Sequence, residues 1–262
     1  MAAEDSDPII SEYSQLARAA IGGEAIRDWD PGAFDNGCFG AAAYADRTQA
    51  PDVVFQASLG CGNPLMVADL RPGETVLDLG SGGGLDVLLS ARRVAPDGIA
   101  YGLDASADML ALARMNASKA QVANVRFLHG HIEDIPLPDD HVEVVISNCV
   151  INLSGNKPRV LAEAFRVLKP GGRLGISDVI ADEGSRQVQR ARPEQQVGCL
   201  AGALTQLEYQ RLLAAAGFTD ISITSTARAT DGLHPATIQA TKPATDQPRP
   251  ADLLNRCSDS EL

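Results

Sequence analysis

The amino-acid sequence predicts an α/β fold in which helices cover both faces of a mostly parallel sheet. Short apolar segments alternate with helical segments from Arg71 to Asp178, and this order builds such a sheet. A glycine-rich loop, residues 80–84, lies between the first strand and the first helix of this region. With 262 residues, the chain is long enough to bury the core of one large domain.

The segment before this region predicts a helix and a long loop. Apolar residues recur at spacings of three and four between residues 8 and 20, as in an amphipathic helix. Residues 28–50 are rich in Gly, Asp and Ala without a clear period, and they contain Cys38. We interpret this stretch as a loop or mobile cap, because loops of such length usually have a function or are disordered. Residues 1–70 are thus predicted to form an N-terminal helix and cap.

The alternating region forms the predicted core, residues 71–180. Its strands are predicted at residues 75–79, 99–103, 125–129, 142–147 and 173–178, and two of its helices at residues 85–94 and 157–168. A further helix follows Ser106, whose hydroxyl can cap it. The turn at residues 169–172 contains a proline and two glycines, which extend neither a helix nor a strand, so we place a firm boundary there.

Residues 181–242 are predicted to combine a substrate-binding region with the last strands of the sheet. After the polar residues 181–198, a helix is predicted at residues 207–216, where Gly217 ends it. Residues 221–226 and 236–240 are predicted to close the sheet as antiparallel strands. Prolines and scattered charges predict a disordered tail over residues 243–262, which contain Cys257.

Composition disfavours several classes of partner. The formal net charge is −12 and no run of Lys or Arg offers a surface for a phosphate backbone, so we expect no nucleic-acid partner. No apolar run approaches the roughly 20 residues of a membrane helix, and we expect no membrane segment. The acidic start lacks the basic region of a signal peptide, which predicts a cytoplasmic protein. Nothing in the sequence requires a partner subunit, and we expect a monomer.

The glycine loop and the acidic strand ends predict a nucleotide pocket. Asp78 lies near the end of the first strand, and Gly80 and Gly82 let the backbone approach a ligand that faces the helix amides. A dinucleotide fingerprint would need a glycine where Leu85 stands, which disfavours hydride transfer. Asp104 follows the second strand, where its carboxylate either accepts hydrogen bonds from ribose hydroxyls or caps a helix.

Residues 75–178 as a set resemble the class I S-adenosylmethionine-dependent methyltransferases. The first motif of that class has the form VLDLGSGGG here, and a later motif resembles RVLKPGG. The resemblance implies a Rossmann-like sheet and contacts from acidic and glycine residues to the methionine and ribose of the donor. The residues at the end of the third strand either contact the adenine, as the resemblance implies, or form a simple acidic turn at the surface. The implied cofactor-binding residues are Asp78, Gly80, Gly82, Asp104, Ile132, Glu133 and Asn148.

Three cysteines, Cys61, Cys149 and Cys199, are separated by 88 and 50 residues, so only folding could bring them together. Thiolates are soft ligands, and the chain has no C-x-x-C pair of the kind that structural zinc sites use. Three isolated thiols suit a three-coordinate centre such as a trivalent metalloid. Each cysteine alone could instead be a small buried hydrophobe or a residue of a turn or helix.

The cysteine motifs resemble those of arsenite methyltransferases. The resemblance rests on SNCVINL around Cys149, GCG around Cys61, GCLAGAL around Cys199 and NGC at Cys38. It implies that Cys61, Cys149 and Cys199 bind As(III) as catalytic thiolates, with Cys38 as a redox cysteine. Many members carry an aromatic residue at the position of Leu59, where it can lie against the methyl donor.

The function implied by this resemblance is methylation of trivalent arsenic, with S-adenosyl-L-methionine as cofactor. Arsenite and methylarsenite would be the substrates, and thioredoxin or glutathione the thiol reductant. Two other interpretations remain open. One is a class I methyltransferase that acts on carbon or oxygen of an organic metabolite, and the other is a non-catalytic metalloid binder that uses its thiols.

Overall fold

The computed structural model describes residues 7–22, 62–183, 202–226 and 232–244. The predicted loop at residues 28–50, most of residues 181–198 and nearly all of the predicted tail lie outside these ranges. So do four of the five cysteines: Cys38, Cys61, Cys199 and Cys257.

The described elements follow the predicted alternation. The helices are α1 (Pro8–Ile21), α2 (Leu85–Val94), α3 (Ala107–Ala120), α4 (Lys157–Val167) and α5 (Gln206–Ala216), with short 3-10 turns at Pro64–Met66 and Ile151–Leu153. The strands are β1 (Thr75–Leu79), β2 (Ile99–Asp104), β3 (Val125–His129), β4 (Val142–Asn148), β5 (Leu168–Ala181), β6 (Leu204–Thr205), β7 (Thr219–Ser225) and β8 (Leu233–Thr241).

One sheet of eight strands organises the described residues. Its order is β3-β2-β1-β4-β5-β8-β7, and the short strand β6 also pairs with β5. Strands β1 to β6 make parallel pairs, whereas β8 is antiparallel to both β5 and β7. The predicted fold class is therefore confirmed, including the antiparallel strands that close the sheet.

The sheet is buried on both faces because its strands carry apolar residues on both sides. Successive side chains of a strand point to opposite faces, so Val76 and Leu77 enter two different clusters. Leu77 packs with Leu161 of α4 and Tyr209 of α5, while Val76 packs with Leu88 of α2. Helices thus cover both faces, as the sequence predicts.

Helix termini follow local sequence signals. The Ser106 side chain accepts a hydrogen bond from the Met109 amide and caps α3, as predicted. Gly217 adopts a left-handed conformation with φ of 104° and ends α5. The start of α5 also has a capping box, in which Thr205 and Glu208 bond reciprocally to each other's backbone amides.

The firm boundary at residues 169–172 is wrong, because the structure includes these residues in β5. The Gly171 amide donates to the Lys242 carbonyl, and the Lys242 amide donates to the Gly172 carbonyl. Leu168 pairs with Val142 of β4 before a register irregularity. Lys242, 70 and 71 residues away in sequence from Gly172 and Gly171, therefore extends the strand through these glycines, and no local pattern records it.

Strand β6 occupies the same edge of β5 as β4 does. β8 pairs along one edge of β5 from Arg173 to Ala181. Because a strand has two edges, β4 and β6 must share the other, with Ser177 paired to Asn148 and Ile180 paired to Leu204. The end of β4 and the start of β6 are therefore about 10 Å apart along β5.

Among the helices in the four described ranges, none combines the length and the apolar character needed to span a bilayer.

Candidate active site

A pocket lies at the carboxyl edge of the sheet, where β1, β2 and β4 end. The strands are in register there, with Leu79 of β1 opposite both Leu103 of β2 and Ser147 of β4. Ligands of open parallel sheets bind at this edge. All seven residues predicted to bind the cofactor line this one pocket: Asp78, Gly80, Gly82, Asp104, Ile132, Glu133 and Asn148. Their individual roles remain predictions.

The glycine loop requires its glycines for two separate reasons. Gly80 and Gly82 have φ angles of 67° and 50°, a left-handed region in which side chains are strained. A Cβ on Gly80 would also lie 2.5 Å from both methyl groups of Val150, so the loop and the turn after β4 pack against each other. From the other side, the Asn116 side chain of α3 donates to the Gly83 carbonyl at 2.9 Å.

Asp104 organises the loop as well as the pocket. Its two carboxylate oxygens accept hydrogen bonds of 2.8 Å from the amides of Gly82 and Ser106. Ser106, not Asp104, is the N-cap of α3. Burial raises the pKa of Asp104, although these backbone hydrogen bonds act in the opposite direction. Each oxygen keeps a second lone pair, so the carboxylate can still accept hydroxyl groups of a ligand.

Two further carboxyl groups, those of Asp78 and Asp86, line the same pocket as Asp104. Asp78 is 3% exposed, and its pKa is raised well above the usual value, first by burial and then by the charges of Asp86 and Asp104. Asp86, in the first turn of α2, accepts a hydrogen bond from the Asn148 side chain at 3.1 Å. A cluster of this kind favours a positively charged ligand, because a cation offsets the repulsion among the carboxylates.

The residues present fit S-adenosylmethionine. The donor carries a sulfonium and an ammonium group, and the acidic cluster faces the pocket. The buried Ser81 hydroxyl, which also lines the pocket, has no hydrogen-bond partner within the described residues, so a ligand can satisfy it. On the opposite wall, the Ser154 hydroxyl donates to the Glu133 carboxylate and orients that side chain.

Helix α1 covers the pocket, a position that its own sequence does not reveal. Ile9, Ile10 and Tyr13 contribute to the pocket wall. The helix is fixed to α3 by a hydrogen bond of 2.7 Å between the Ser14 and Ser106 hydroxyls. Its amphipathic pattern was visible in the sequence, but nothing local indicated which surface it would cover. Asp86 was missed for a similar reason, since an acidic residue in a first helical turn usually only complements the helix dipole.

Cys149 lines the same pocket, directly after β4. It is 6% exposed, and its amide donates to the Ser177 carbonyl at 2.9 Å. Its φ of 58° is unusual for a residue with a side chain, and such strain is common at functional sites. Cys149 is disulfide-bonded.

The residue that follows Cys61 lies beside Cys149. The Asn148 side chain donates to the Gly62 carbonyl at 2.9 Å. A Cβ on Gly62 would overlap the Ser177 hydroxyl, so only glycine fits this approach to β5.

A buried polar network lies beneath the turn that follows Cys149. One oxygen of Asp178 accepts hydrogen bonds of 2.8 Å from the Asn152 side chain and the Val179 amide, and the other accepts one of 2.9 Å from the Tyr209 hydroxyl. Burial raises the pKa of Asp178 to about 7 despite these donors. The Asn152 carbonyl also lies so close to Gly202 that a Cβ there would overlap it.

The predicted arsenic ligands are only partly within the described structure. Cys149 is described, whereas Cys61 and Cys199 are not. Among the residues that are described, no group of three or more His, Cys, Asp or Glu side chains is arranged to hold a metal ion. The three-thiol site therefore remains a prediction.

Comparison with known proteins identifies the class and the family. A family model described as a methyltransferase domain matches residues 70–217, more than half of the chain. Together with the fold and the pocket, this match makes the chain a class I S-adenosylmethionine-dependent methyltransferase. A crystal structure of an arsenic (III) S-adenosylmethionine methyltransferase from Chlamydomonas reinhardtii matches with a TM-score of 0.63 and 34% identity, over 79% of this chain and 74% of that one. The chain belongs to the arsenite methyltransferase family.

Curated relatives support the same family. An arsenite methyltransferase of Halobacterium salinarum is 42% identical over 201 residues, which are 72% of this chain and 51% of the relative. One from Aquipseudomonas alcaligenes is 43% identical over 185 residues, which are 65% of this chain and 53% of the relative. The chain spans about half the length of these curated relatives.

We expect Asp178→Asn to remove a pH-dependent part of the folding stability. The pKa of Asp178 is about 7 in the folded protein against 3.8 for an exposed carboxyl, so the folded state binds this proton more tightly. Its contribution to stability is complete below pH 3.8 and is lost as the pH rises through about 7. From about pH 5 to about pH 8, the unfolding free energy of the wild type should fall by roughly 2–3 kcal/mol relative to the variant.

Urea unfolding at both pH values measures this difference. Asp108→Asn, in which the altered group is a surface carboxylate paired with Arg18, is the matched control and should follow the wild type. Parallel pH dependence in wild type and Asp178→Asn would show that Asp178 titrates normally.

Proposed function

We propose that this protein transfers methyl groups from S-adenosylmethionine to trivalent arsenic. The observation that carries the proposal is the position of Cys149, which lines the same pocket as the glycine loop and Asp104. A thiol ligand of the substrate would thus lie beside the methyl donor. The next residue, Val150, packs directly on Gly80, which holds the two parts of the site together.

The donor would be held by the residues that line the pocket. Asp104 would accept the ribose hydroxyls, and the glycine loop would let the backbone approach the methionine portion. Ile132 and Glu133 would contact the adenine. The Asn148 side chain donates a hydrogen bond to Asp86 and orients it. The acidic cluster would favour the positive charges of the ligand.

Arsenite would be bound by the thiolates of Cys61, Cys149 and Cys199. Two contacts support this grouping, because they bring the neighbours of the outer cysteines to the β4 turn. Gly62, adjacent to Cys61, is bonded to the Asn148 side chain, and Gly202 packs on the Asn152 backbone.

The chemistry needs positioning more than acid or base groups. The donor supplies a methyl group on a sulfonium sulfur, which leaves as a neutral thioether when the arsenic lone pair takes the methyl carbon. A pyramidal As(III) held by three thiolates keeps that lone pair free for attack. Holding reacting atoms in a near-attack arrangement can lower a barrier by roughly 7–11 kcal/mol.

Attack by the lone pair formally raises arsenic from the trivalent to the pentavalent state. Two electrons restore the trivalent product, and two thiolates supply them when they join as a disulfide. We assign Cys38 to this step as a redox partner of the substrate-binding cysteines. Thioredoxin or glutathione would then reduce the disulfide by thiol exchange and return the enzyme to its active form.

A single assay separates this function from the two alternatives. Reduced protein is incubated with arsenite, S-adenosylmethionine and a thiol reductant, and the arsenic species are separated and quantified. Methylated arsenicals, formed with consumption of the donor, are the expected result. Donor binding without arsenic methylation would favour an organic substrate, and arsenic binding without donor consumption would favour a non-catalytic metalloid binder.

We expect Asp104→Ala to weaken donor binding by roughly tenfold to a hundredfold. The change removes a charged acceptor, and a hydrogen bond to a charged group contributes about 1.5–3 kcal/mol. Isothermal titration calorimetry with S-adenosylmethionine measures the dissociation constant. Asp108→Ala, which removes a nearby carboxylate paired with Arg18 instead, should bind the donor as the wild type does. An unchanged affinity in Asp104→Ala would mean that the ribose assignment is wrong.

We expect Cys149→Ser to abolish arsenite methylation and to leave donor affinity within about twofold of wild type. A serine hydroxyl is a hard and weakly acidic ligand, so it cannot replace a thiolate on arsenic. Cys199→Ser should behave in the same way. Cys257→Ser, in the predicted tail, is the matched control and should retain full activity. Full activity in Cys149→Ser would refute the thiol site.

We expect Cys38→Ser to separate the redox step from methyl transfer. Turnover with arsenite should be lost, because no thiol then completes the disulfide, while activity on a methylated trivalent arsenical should persist. Product formation with each substrate is measured at saturating donor and reductant. Equal activity on both substrates would remove the redox assignment of Cys38.

A further inference from the structure

The buried network of Asn152, Asp178 and Tyr209, here called the Asp178 network, lies outside the donor pocket. None of its three residues lines that pocket. Asp178 and Tyr209 are 0% exposed and Asn152 is 3% exposed, so their hydrogen bonds are shielded from water. The network connects three parts of the chain through one carboxylate.

The first connection anchors the turn that follows Cys149. The Asn152 side-chain amide donates to the Asp178 carboxylate at 2.8 Å and to the Val179 carbonyl at 2.7 Å. The turn is therefore bound to β5 three residues after Cys149. This anchor holds the chain that leaves the left-handed Cys149, a conformation that the surrounding structure must maintain.

The second connection anchors the segment that precedes β6. Tyr209 of α5 donates to the same carboxylate at 2.9 Å, and α5 follows β6 without a break. Two residues before β6, Gly202 packs on the Asn152 carbonyl so closely that no side chain fits. Asp178 thus holds both the turn after Cys149 and the element that positions Gly202.

The two anchored segments are each only a few residues from a predicted thiol ligand in the sequence. Asn152 is three residues after Cys149, and Gly202 is three residues after Cys199. Three residues span at most about 11 Å, so the anchored Asn152 restricts the position of Cys149 on the turn. A shift of this turn would move the sulfur of Cys149.

Stability alone gives a weak reason for such a network. A buried charged or polar group is costly, and well-packed apolar residues of similar size are often equally stabilising. Directional hydrogen bonds, in contrast, fix the relative positions of the elements that they join.

We propose that Asn152, Asp178 and Tyr209 are positioning residues that hold the turn after Cys149 against the Gly202 segment and thereby set the affinity for trivalent arsenic. This inference rests on the proposed function, because it concerns the same thiol site. It assigns no contact with the donor, so donor binding is independent of the network.

The first test compares Tyr209→Phe with Tyr101→Phe. The former loses the hydroxyl that bonds Asp178, whereas the latter loses a hydroxyl on β2, where the ring packs edge-on against His141. Arsenite affinity is measured by equilibrium dialysis of fully reduced protein, and donor affinity by calorimetry. For Tyr209→Phe we expect arsenite binding to weaken about tenfold and the KM for arsenite to rise in proportion. Donor affinity should stay within about twofold, and Tyr101→Phe should match the wild type in both measurements.

The second test uses a glycine pair. Gly202→Ala places a methyl group against the Asn152 carbonyl, whereas Gly155→Ala, just after the same turn, meets nothing within 4 Å. We expect Gly202→Ala to weaken arsenite binding more than Tyr209→Phe does, and Gly155→Ala to have no effect. This pair keeps the inference testable if Tyr209→Phe does not fold.

Two results would overturn the inference. One is wild-type arsenite affinity in both Tyr209→Phe and Gly202→Ala. The other is an equal loss of arsenite and donor affinity, which would indicate a general structural role. Failure of the proposed function is distinguished by the wild type itself, which would then not methylate arsenite.

Discussion

Register between the parallel strands β1, β2 and β4 is the constraint on which the site depends. Leu79 lies opposite Leu103 on one side and Ser147 on the other, so the loops after all three strands begin at one level. A slip of one residue in any pair would move side chains from one packed face of the sheet to the other and would separate the glycine loop, Asp104 and Asn148. The apolar residues of both sheet faces prevent such a slip, and in this way ordinary core packing determines the geometry of the pocket.

Close backbone approach then couples the two halves of the site. Because glycine has no Cβ, Val150 can pack against Gly80, Ser177 against Gly62, and the Asn152 carbonyl against Gly202. Each contact joins the β4 turn or its neighbouring strand to a different part of the chain. Cys149 is at the centre of these contacts, in a left-handed conformation that its neighbours maintain. The donor pocket and the thiol turn are thus parts of one packed structure.

Local sequence predicts those features that local physics determines. Strands β1 and β3, helix α2 and the Ser106 cap match their predicted positions, because alternation, apolar runs and capping hydroxyls act over a few residues. The predicted turn at residues 169–172 was wrong, and β6, the position of α1 and the Asp178 network were missed. Each of these depends on a partner far away in sequence, such as Ser106 for Ser14 or Asp178 for Tyr209. The grouping of the cysteines came from family resemblance, since thiol spacing alone left several alternatives open.

The brevity of β6 has a dynamic consequence. Two residues attach it to β5, whereas β8 pairs with the same strand over nine. Native proteins open locally where few bonds must break, and such openings need far less free energy than global unfolding. Amides of β6 should therefore exchange with solvent well before those of β8. A short strand of this kind can open and close again while the remaining sheet stays paired, so β6 exchanges its amides without melting the core.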